Sequence, residues 1–323
     1  MDDRPLPTVE IVDVKNTENS FGSDVLFSQP LLHRLTETLA HGQQAILFLN
    51  RRGFAPFCLC QTCGYIPKCP HCSVSLTLYA HTQRLICHYC GHTIARPPRC
   101  HDCEHTPLTP MGFGTEKVES LLREQFPSAR VARMDRTSTQ KRHSLEKILS
   151  DFSDQKIDVL IGTQMVAKGH DFPNVTLVGI MLADVSINIP DFRSPERAFQ
   201  LMTQVAGRAG RGAARGHVII QTFQPHHYAL TAAKDHDYTR FCDAELRIRQ
   251  ELDYPPFSKM VHLKVTHEVD RKATAKMEWL ASLCRDIRRR NPQFSALRLL
   301  GPSPASMAKI KGKFRHHLLL LAP

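Results

Sequence analysis

The chain has 323 residues, with 42 Lys and Arg against 31 Asp and Glu for a formal charge of +11, and 42% apolar residues, enough to build cores and to exclude a disordered polymer. Its longest apolar runs, 45–49 and 318–322, fall far short of the ~18 residues a membrane helix needs, and the start Met1-Asp2-Asp3-Arg4-Pro5 lacks the apolar stretch of a secretory signal. The expectation is a cytoplasmic, soluble protein of about two or three domains with no membrane role.

Residues 1–29 are polar apart from a strand-like run over 9–14 and read as a linker or entry segment. Leu31, Leu32, Leu35 and Leu39 recur at helical spacing, and 45–49 is a short buried strand. A cysteine-rich block over 54–110 follows. Beyond it the spacing predicts helices over 115–126, 140–152 and 196–206, alternating with strands over 129–134, 157–161, 175–181 and 217–221. Such alternation, with near-continuous apolar strands, predicts an α/β domain over 30–222 whose parallel sheet is covered on both faces. The cysteine block interrupts it just after a strand, so it reads as an insert.

After Phe223 the pattern changes. A helix over 238–252 stops before Tyr254-Pro255-Pro256-Phe257, where two prolines forbid continuation. A strand over 260–265 and a helix over 273–287 follow, the helix with Met277, Leu280, Leu283, Cys284 and Ile287 inward, and then strands over 296–300 and 314–321. Residues 223–323 therefore read as part of a small α+β domain, and the final leucine run predicts that the chain stops inside it. From Arg271 onward twelve Lys and Arg face two acids, a net +10 that suits polyanions.

Eight of the eleven cysteines form four Cys-x-x-Cys pairs: Cys60/Cys63, Cys69/Cys72, Cys87/Cys90 and Cys100/Cys103. In a chain with no secretory signal these read as zinc sites rather than a disulfide scaffold. Each pair places two thiolates at one tetrahedral centre, so two pairs close a structural site with no open position. Fourteen residues separate Cys72 from Cys87, room for a hairpin with Val74, Leu76 and Leu78 alternating, whereas only five separate Cys63 from Cys69. The spacing thus predicts crossed pairing: Cys69, Cys72, Cys87 and Cys90 at an inner Zn²⁺, and Cys60, Cys63, Cys100 and Cys103 at an outer one. Cys58, His71, His88 and His101 stand as alternative ligands that more often decorate such turns, and Cys242 and Cys284 read as core residues.

Three stretches fall where an open α/β sheet places chemistry, beyond strand carboxyl ends. These are Asn50-Arg51-Arg52-Gly53, Gly162-Thr163-Gln164 running into Lys168-Gly169-His170-Asp171, and Gln204-Val205-Ala206-Gly207-Arg208-Ala209-Gly210-Arg211-Gly212 at the end of a helix. Singly each could be a cap, a stop or a solvated arginine. Together they resemble motifs IV, V and VI of the second lobe of superfamily 2 helicases. The insert after motif IV and the strings Pro190-Asp191-Phe192-Arg193-Ser194-Pro195-Glu196-Arg197 and Tyr254-Pro255-Pro256-Phe257 narrow the resemblance to the PriA family (primosomal protein N′), from about Pro5 to the end.

That resemblance implies a RecA-like parallel sheet, the helicase lobe 2, with an inserted double zinc ribbon and a small α+β C-terminal domain. It implies an ATP-dependent 3′→5′ DNA helicase that recognises stalled forks and starts primosome assembly. Its partners would be forked and single-stranded DNA, single-stranded-DNA-binding protein and the proteins that load the replicative helicase, and it would be nucleoid-associated. Gly162, Thr163 and Gln164, with Lys168, Arg51 and Arg52, would contact DNA. Arg211 would act as an arginine finger with Arg208 beside it and Gln204 coupling it to nucleotide state, while Asp171 and Gly169 would meet the nucleotide.

ATP and Mg²⁺ would be held mainly by a first lobe that this sequence lacks. No Gly-x-x-x-x-Gly-Lys-[Ser/Thr] occurs, Gly112-Phe113-Gly114-Thr115-Glu116-Lys117 having the wrong spacing, and no Asp-Glu pair follows an apolar strand. The chain alone is therefore expected to hydrolyse almost no ATP. A non-enzymatic zinc-ribbon adaptor for nucleic acid or a protein partner is the alternative, though it leaves Arg208, Arg211 and Gly162-Thr163 without a purpose. A zinc hydrolase is disfavoured, because catalytic zinc keeps an open ligand position.

Overall fold

Ser28 opens the first helix, Gln29–Ala40: its hydroxyl accepts the Leu31 amide, and Pro30 stands in the first turn, where no backbone donor is needed. Leu31, Leu32 and Leu35 bury one stripe of this helix against the strand Gln44–Leu49, all six of whose residues are buried. In the computed structural model, residues 6–16, 26–50, 57–79, 82–105, 108–110, 114–135, 138–139, 143–166, 171–212 and 214–323 are described. Arg51, Arg52, Lys168 and Gly169, expected at the DNA and nucleotide sites, lie outside them.

The chain divides into two compact units. The first comprises Met1–Arg52, Gly112–Ile187 and Pro195–Phe241. Its six-stranded sheet runs in the order Thr8–Asp13, His217–Thr222, Val175–Met181, Gln44–Leu49, Val159–Gly162 and Val131–Met134, every neighbouring pair parallel. Register places Ile46 beside Leu160 on one side and Val178 on the other, so the centre is a continuous apolar ladder. Ala45, Leu47, Leu49, Val159, Ile161 and Leu177 share a core with the helices Gln29–Ala40 and Thr115–Gln125. Gly179 makes this packing possible: a Cβ there would lie 2.8 Å from Leu47 and 3.0 Å from Leu31.

Two buried amides tie this core together. Gln44 Nε2 donates to the carbonyls of Phe152 and Ile157, each at 2.7 Å, and Gln221 accepts the Ser28 amide at 2.6 Å while donating to the Leu26 carbonyl at 2.8 Å. The helix expected over 140–152 spans Ser144–Ser153, where His143 at φ +65° forms its left-handed N-cap.

The second unit comprises Gly53–Met111, Asn188–Ser194 and Cys242–Pro323. The cysteine block forms a three-stranded antiparallel sheet, Thr77–Tyr79, Arg84–Ile86 and Thr93–Ala95, and a two-stranded pair, Cys58–Leu59 with Thr109–Pro110. Beyond Cys242 the strands Lys259–His267, Lys313–Ala322 and Arg298–Ile310 form an antiparallel sheet with Lys313–Ala322 in the middle. The leucine run of 318–321 is thus paired on both edges.

The helix Asp270–Arg290 covers one side of this sheet through Ala273, Met277 and Ala281, with Leu280 and Cys284 partly buried. Leu283 and Ile287, expected inward, are each 42% exposed. The inner stripe is centred on residues 273, 277 and 281, and at about 100° per residue positions 283 and 287 turn off it. Tyr254, Leu319 and Leu321 belong to the same hydrophobic core as the cysteines, so the insert and the chain beyond Cys242 are built around one interior. Among the described residues no helix is long and apolar enough to cross a membrane.

Candidate metal centres and motor-lobe loops

The four Cys-x-x-Cys turns share one local construction. The amide four residues after the first cysteine returns to that cysteine's carbonyl: Gly64 to Cys60, Ser73 to Cys69, Gly91 to Cys87 and Glu104 to Cys100, at 2.8–3.1 Å. In three of them the cysteine amide also donates to the carbonyl five residues on, at Tyr65, Val74 and His92. The returning residue sits in the left-handed region each time, at φ +79°, +53°, +80° and +59°. Glycine fills two of these positions; Ser73 and Glu104 adopt the same conformation at a modest cost.

These turns gather their sulfurs into two sets, Cys60, Cys63, Cys100 and Cys103, and Cys69, Cys72, Cys87 and Cys90, with the sulfurs of each set all within 4.8 Å of one another. This is the crossed arrangement that the spacing predicts. The sulfurs of Cys60 and Cys103 and of Cys63 and Cys100 are 3.6 Å apart, and those of Cys69 and Cys90 are 3.5 Å apart. Thiolates around a tetrahedral zinc at ~2.3 Å stand roughly 3.8 Å from one another, whereas a disulfide needs ~2.05 Å. All eleven cysteines are free thiols, and the two sets fit zinc.

Backbone amides support the sulfurs, with Tyr89 donating to Cys87, His92 to Cys90 and Asp102 to Cys100, each at 3.4 Å. Hydrogen bonding from Cys72 holds the Cys69 thiol below its ordinary range, while the bond to Cys69 holds Cys72 above it. Four crowded sulfurs share few charges among themselves; a dication lets all of them ionise.

The alternative ligands are occupied elsewhere. Cys58 is buried in a strand beside Pro110, His101 stacks on Tyr65, and His71 meets His92 edge-on. His88 is buried; its Nδ1 bonds the Pro304 carbonyl at 2.9 Å, which leaves Nε2 to accept the Thr77 hydroxyl at 2.5 Å. Burial pushes its pKa down to about 4, so the ring stays neutral.

In the first unit, Gly162 ends its strand against Val166, whose side chain a Cβ at 162 would strike. Thr163 and Gln164 follow at the carboxyl end of the sheet. There Gln164 Nε2 donates to Asn50 Oδ1 at 3.3 Å, and Asn50 Nδ2 to Ser186 Oγ at 2.8 Å. Asn50 thus ties together the ends of adjacent strands, a role not foreseen from sequence. Its only sequence signal was an amide directly after a wholly apolar strand.

The third stretch lies elsewhere. It was expected beyond strand carboxyl ends, but the Gly210 amide donates to Val175, the first residue of its strand, at 2.9 Å. The helix Ser194–Ala206 leads into the strand His217–Thr222 and delivers 207–212 to the amino-terminal end of the parallel sheet. The glycines are required there: Gly210 at φ +74° abuts Gly216, and Gly212 abuts the Pro173 carbonyl. Gln204 is exposed. Arg208 is 8% exposed, and burial lowers its pKa. Arg211 donates from Nε to the Gly207 carbonyl at 2.9 Å, and its Nη1 stands 3.3 Å from Asp171 Oδ1. The segment 162–171 therefore begins at one end of the sheet, with Gly162, and reaches Arg211 at the other, with Asp171.

A parallel α/β lobe with these loops, interrupted in sequence by a double four-cysteine ribbon, defines a class: a helicase-type C-terminal lobe that carries a cysteine-rich ribbon. The family described as Helicase conserved C-terminal domain matches residues 112–213, that described as PriA DNA helicase Cys-rich region (CRR) domain matches 69–94, and that described as Primosomal protein N C-terminal domain matches 250–323. The chain belongs to the PriA family. It is 45% identical over 317 residues to the Replication restart protein PriA of Bacillus subtilis (strain 168), covering 98% of this chain and 39% of the relative. It is 42% identical over 313 residues to that of Haemophilus influenzae, covering 97% and 42%. The chain thus spans about two-fifths of the length of these relatives.

Proposed function

We propose that this chain supplies the second motor lobe, zinc ribbon and C-terminal module of an ATP-dependent 3′→5′ DNA helicase that acts at stalled or abandoned replication forks and starts primosome assembly. The observation that carries this reading is that Gly162 and Asp171, close together in sequence, stand at opposite ends of the sheet. Gly162, Thr163 and Gln164 offer small, polar backbone at the carboxyl end of the sheet, suited to a DNA phosphate. Asp171, at the other end, meets Arg211, a partly exposed cation suited to a triphosphate held by a partner lobe. A segment that touches both ligands can link nucleotide state to grip on DNA.

In this reading Arg211 and Arg208 place positive charge against the transferring phosphoryl group, Gln204 relays nucleotide state, and Asp171 with Gly169 meets the nucleotide. Lys168, Arg51 and Arg52 add phosphate contacts. ATP and Mg²⁺ are bound mainly by the first lobe, so the chain by itself turns over little ATP. The two zincs, each closed by four thiolates, are structural. Forked and single-stranded DNA, single-stranded-DNA-binding protein and the loaders of the replicative helicase are the partners, and the protein works at the nucleoid.

The test joins this chain to the first lobe of the Bacillus subtilis relative and measures DNA-stimulated ATP turnover. Arg211→Ala is expected to lower it by roughly 10³–10⁵, the range for an arginine finger. Unchanged turnover would favour a non-enzymatic adaptor.

A further inference from the structure

The two four-cysteine centres are unequally connected. Around the outer set, bonds within the insert include Cys60 N to the Tyr65 carbonyl at 2.9 Å, Glu104 N to the Cys100 carbonyl at 3.1 Å, and Arg96 to the Leu108 carbonyl at 2.5 Å. The inner set is joined to residues two hundred positions away. Tyr254, 4% exposed, donates its hydroxyl to the carbonyl of the ligand residue Cys72 at 2.9 Å. The carbonyl of His88, between ligands Cys87 and Cys90, accepts the Ser303 hydroxyl at 2.6 Å and also the His317 ring. In return His88 holds the Pro304 carbonyl at 2.9 Å. A Cβ at Gly301, which sits at φ +101°, would lie in ordinary contact with the Tyr89 carbonyl, 3.5 Å away.

We propose that the inner centre is the keystone of the C-terminal sheet: zinc at Cys69, Cys72, Cys87 and Cys90 holds the turns on which Tyr254, Ser303 and His317 fasten, and so sets the order of residues 298–322, whereas the outer centre orders only the insert. The inference is independent of the helicase reading. It follows from geometry and from the locality of each turn. A Cys-x-x-Cys turn owes its shape to the metal, and the Cys72 and His88 carbonyls are correctly aimed only while their turns are closed. Without them the hydroxyls of Tyr254 and Ser303, both in the interior, lose their acceptors. Linkage makes the effect mutual, so the sheet must hold the inner zinc as firmly as the zinc holds the sheet.

The experiment follows zinc release to a colorimetric chelator alongside amide hydrogen exchange in the whole chain. Cys72→Ser is expected to raise exchange across 298–322, while Cys63→Ser, in the outer set, leaves that region as in the parent. Because Cys72→Ser could unfold the unit, the paired variant Tyr254→Phe with Ser303→Ala keeps all eight ligands. It is expected to release the inner zinc about tenfold faster, the usual effect of losing outer-shell partners, with the outer zinc unchanged. Parent release rates for both zincs in the paired variant, or equal loosening of 298–322 by Cys63→Ser and Cys72→Ser, would overturn the proposal.

Discussion

Phe192 lies flat against Tyr254, ring centroids 4.9 Å apart and planes inclined by 16°. The guanidinium of Arg249 stands over the Phe192 ring at 5.1 Å, itself fixed by Glu245 at 2.7 Å, and the Phe192 amide donates to the Tyr89 hydroxyl at 3.0 Å. Phe192 therefore joins three separate stretches of the second unit. Phe192→Ala is expected to cost about 2–3 kcal/mol of unfolding free energy, seen by urea denaturation, because it leaves a gap against Tyr254 and removes the cation's aromatic face. A cost within error of zero would mean that the stack is incidental.

The glycines of the loop 207–212 divide by what surrounds them. Gly210 combines φ +74° with backbone of Gly216 where a side chain would go, whereas Gly42, at φ +66° after the first helix, has nothing within 4 Å. Gly210→Ala should destabilise the chain by about 2–4 kcal/mol, the backbone being unable to step aside. Gly42→Ala should cost only about 1 kcal/mol, for the left-handed conformation alone. Thermal unfolding of the two variants side by side measures the difference.

Asp184 is wholly buried, and burial pushes its carboxyl up to about 6 although the Phe223 amide donates to it at 3.0 Å. The folded chain keeps this proton up to about pH 6, while the unfolded chain releases it near the ordinary value of ~3.9. Between those values the folded state binds more protons, so this group makes stability fall as pH rises and then level off. Asp184→Asn should remove that contribution. The stability difference between variant and parent should grow in the variant's favour from about pH 4 to pH 6 and stay constant above. A difference that shrinks over that window would contradict the assignment.

Metal analysis of the purified chain should return about two zincs, each closed by four thiolates. Cys69→Ser and Cys100→Ser should each remove one and together both, because those residues belong to different sets. Retention of two zincs in either single variant, or one zinc in the parent, would show that the grouping is wrong.

Much of this was legible in the residues. The buried strands announce themselves by unbroken apolar runs such as 45–49, and the paired cysteines by their spacing, because a strand's period and a turn's returning hydrogen bond are properties of a few neighbouring positions. Even the crossed grouping followed from loop lengths, five residues being too few where fourteen allow a hairpin. Leu283 and Ile287 were misread because a helix rich in apolar residues carries more than one plausible inner stripe, and only the sheet beneath it selects one.

By itself, then, the sequence determined the alternation of elements, the ligand turns and the family to which they point. Tertiary structure alone decided that Tyr254 reaches Cys72, 182 residues distant, that Arg211 rests on Asp171 at the amino-terminal end of the sheet, and that the inner cysteine centre is fastened to the last strands. The physical reason is range: periodicity and ligand spacing act through adjacent bonds, whereas these pairings exist only after distant segments have been packed against a common core.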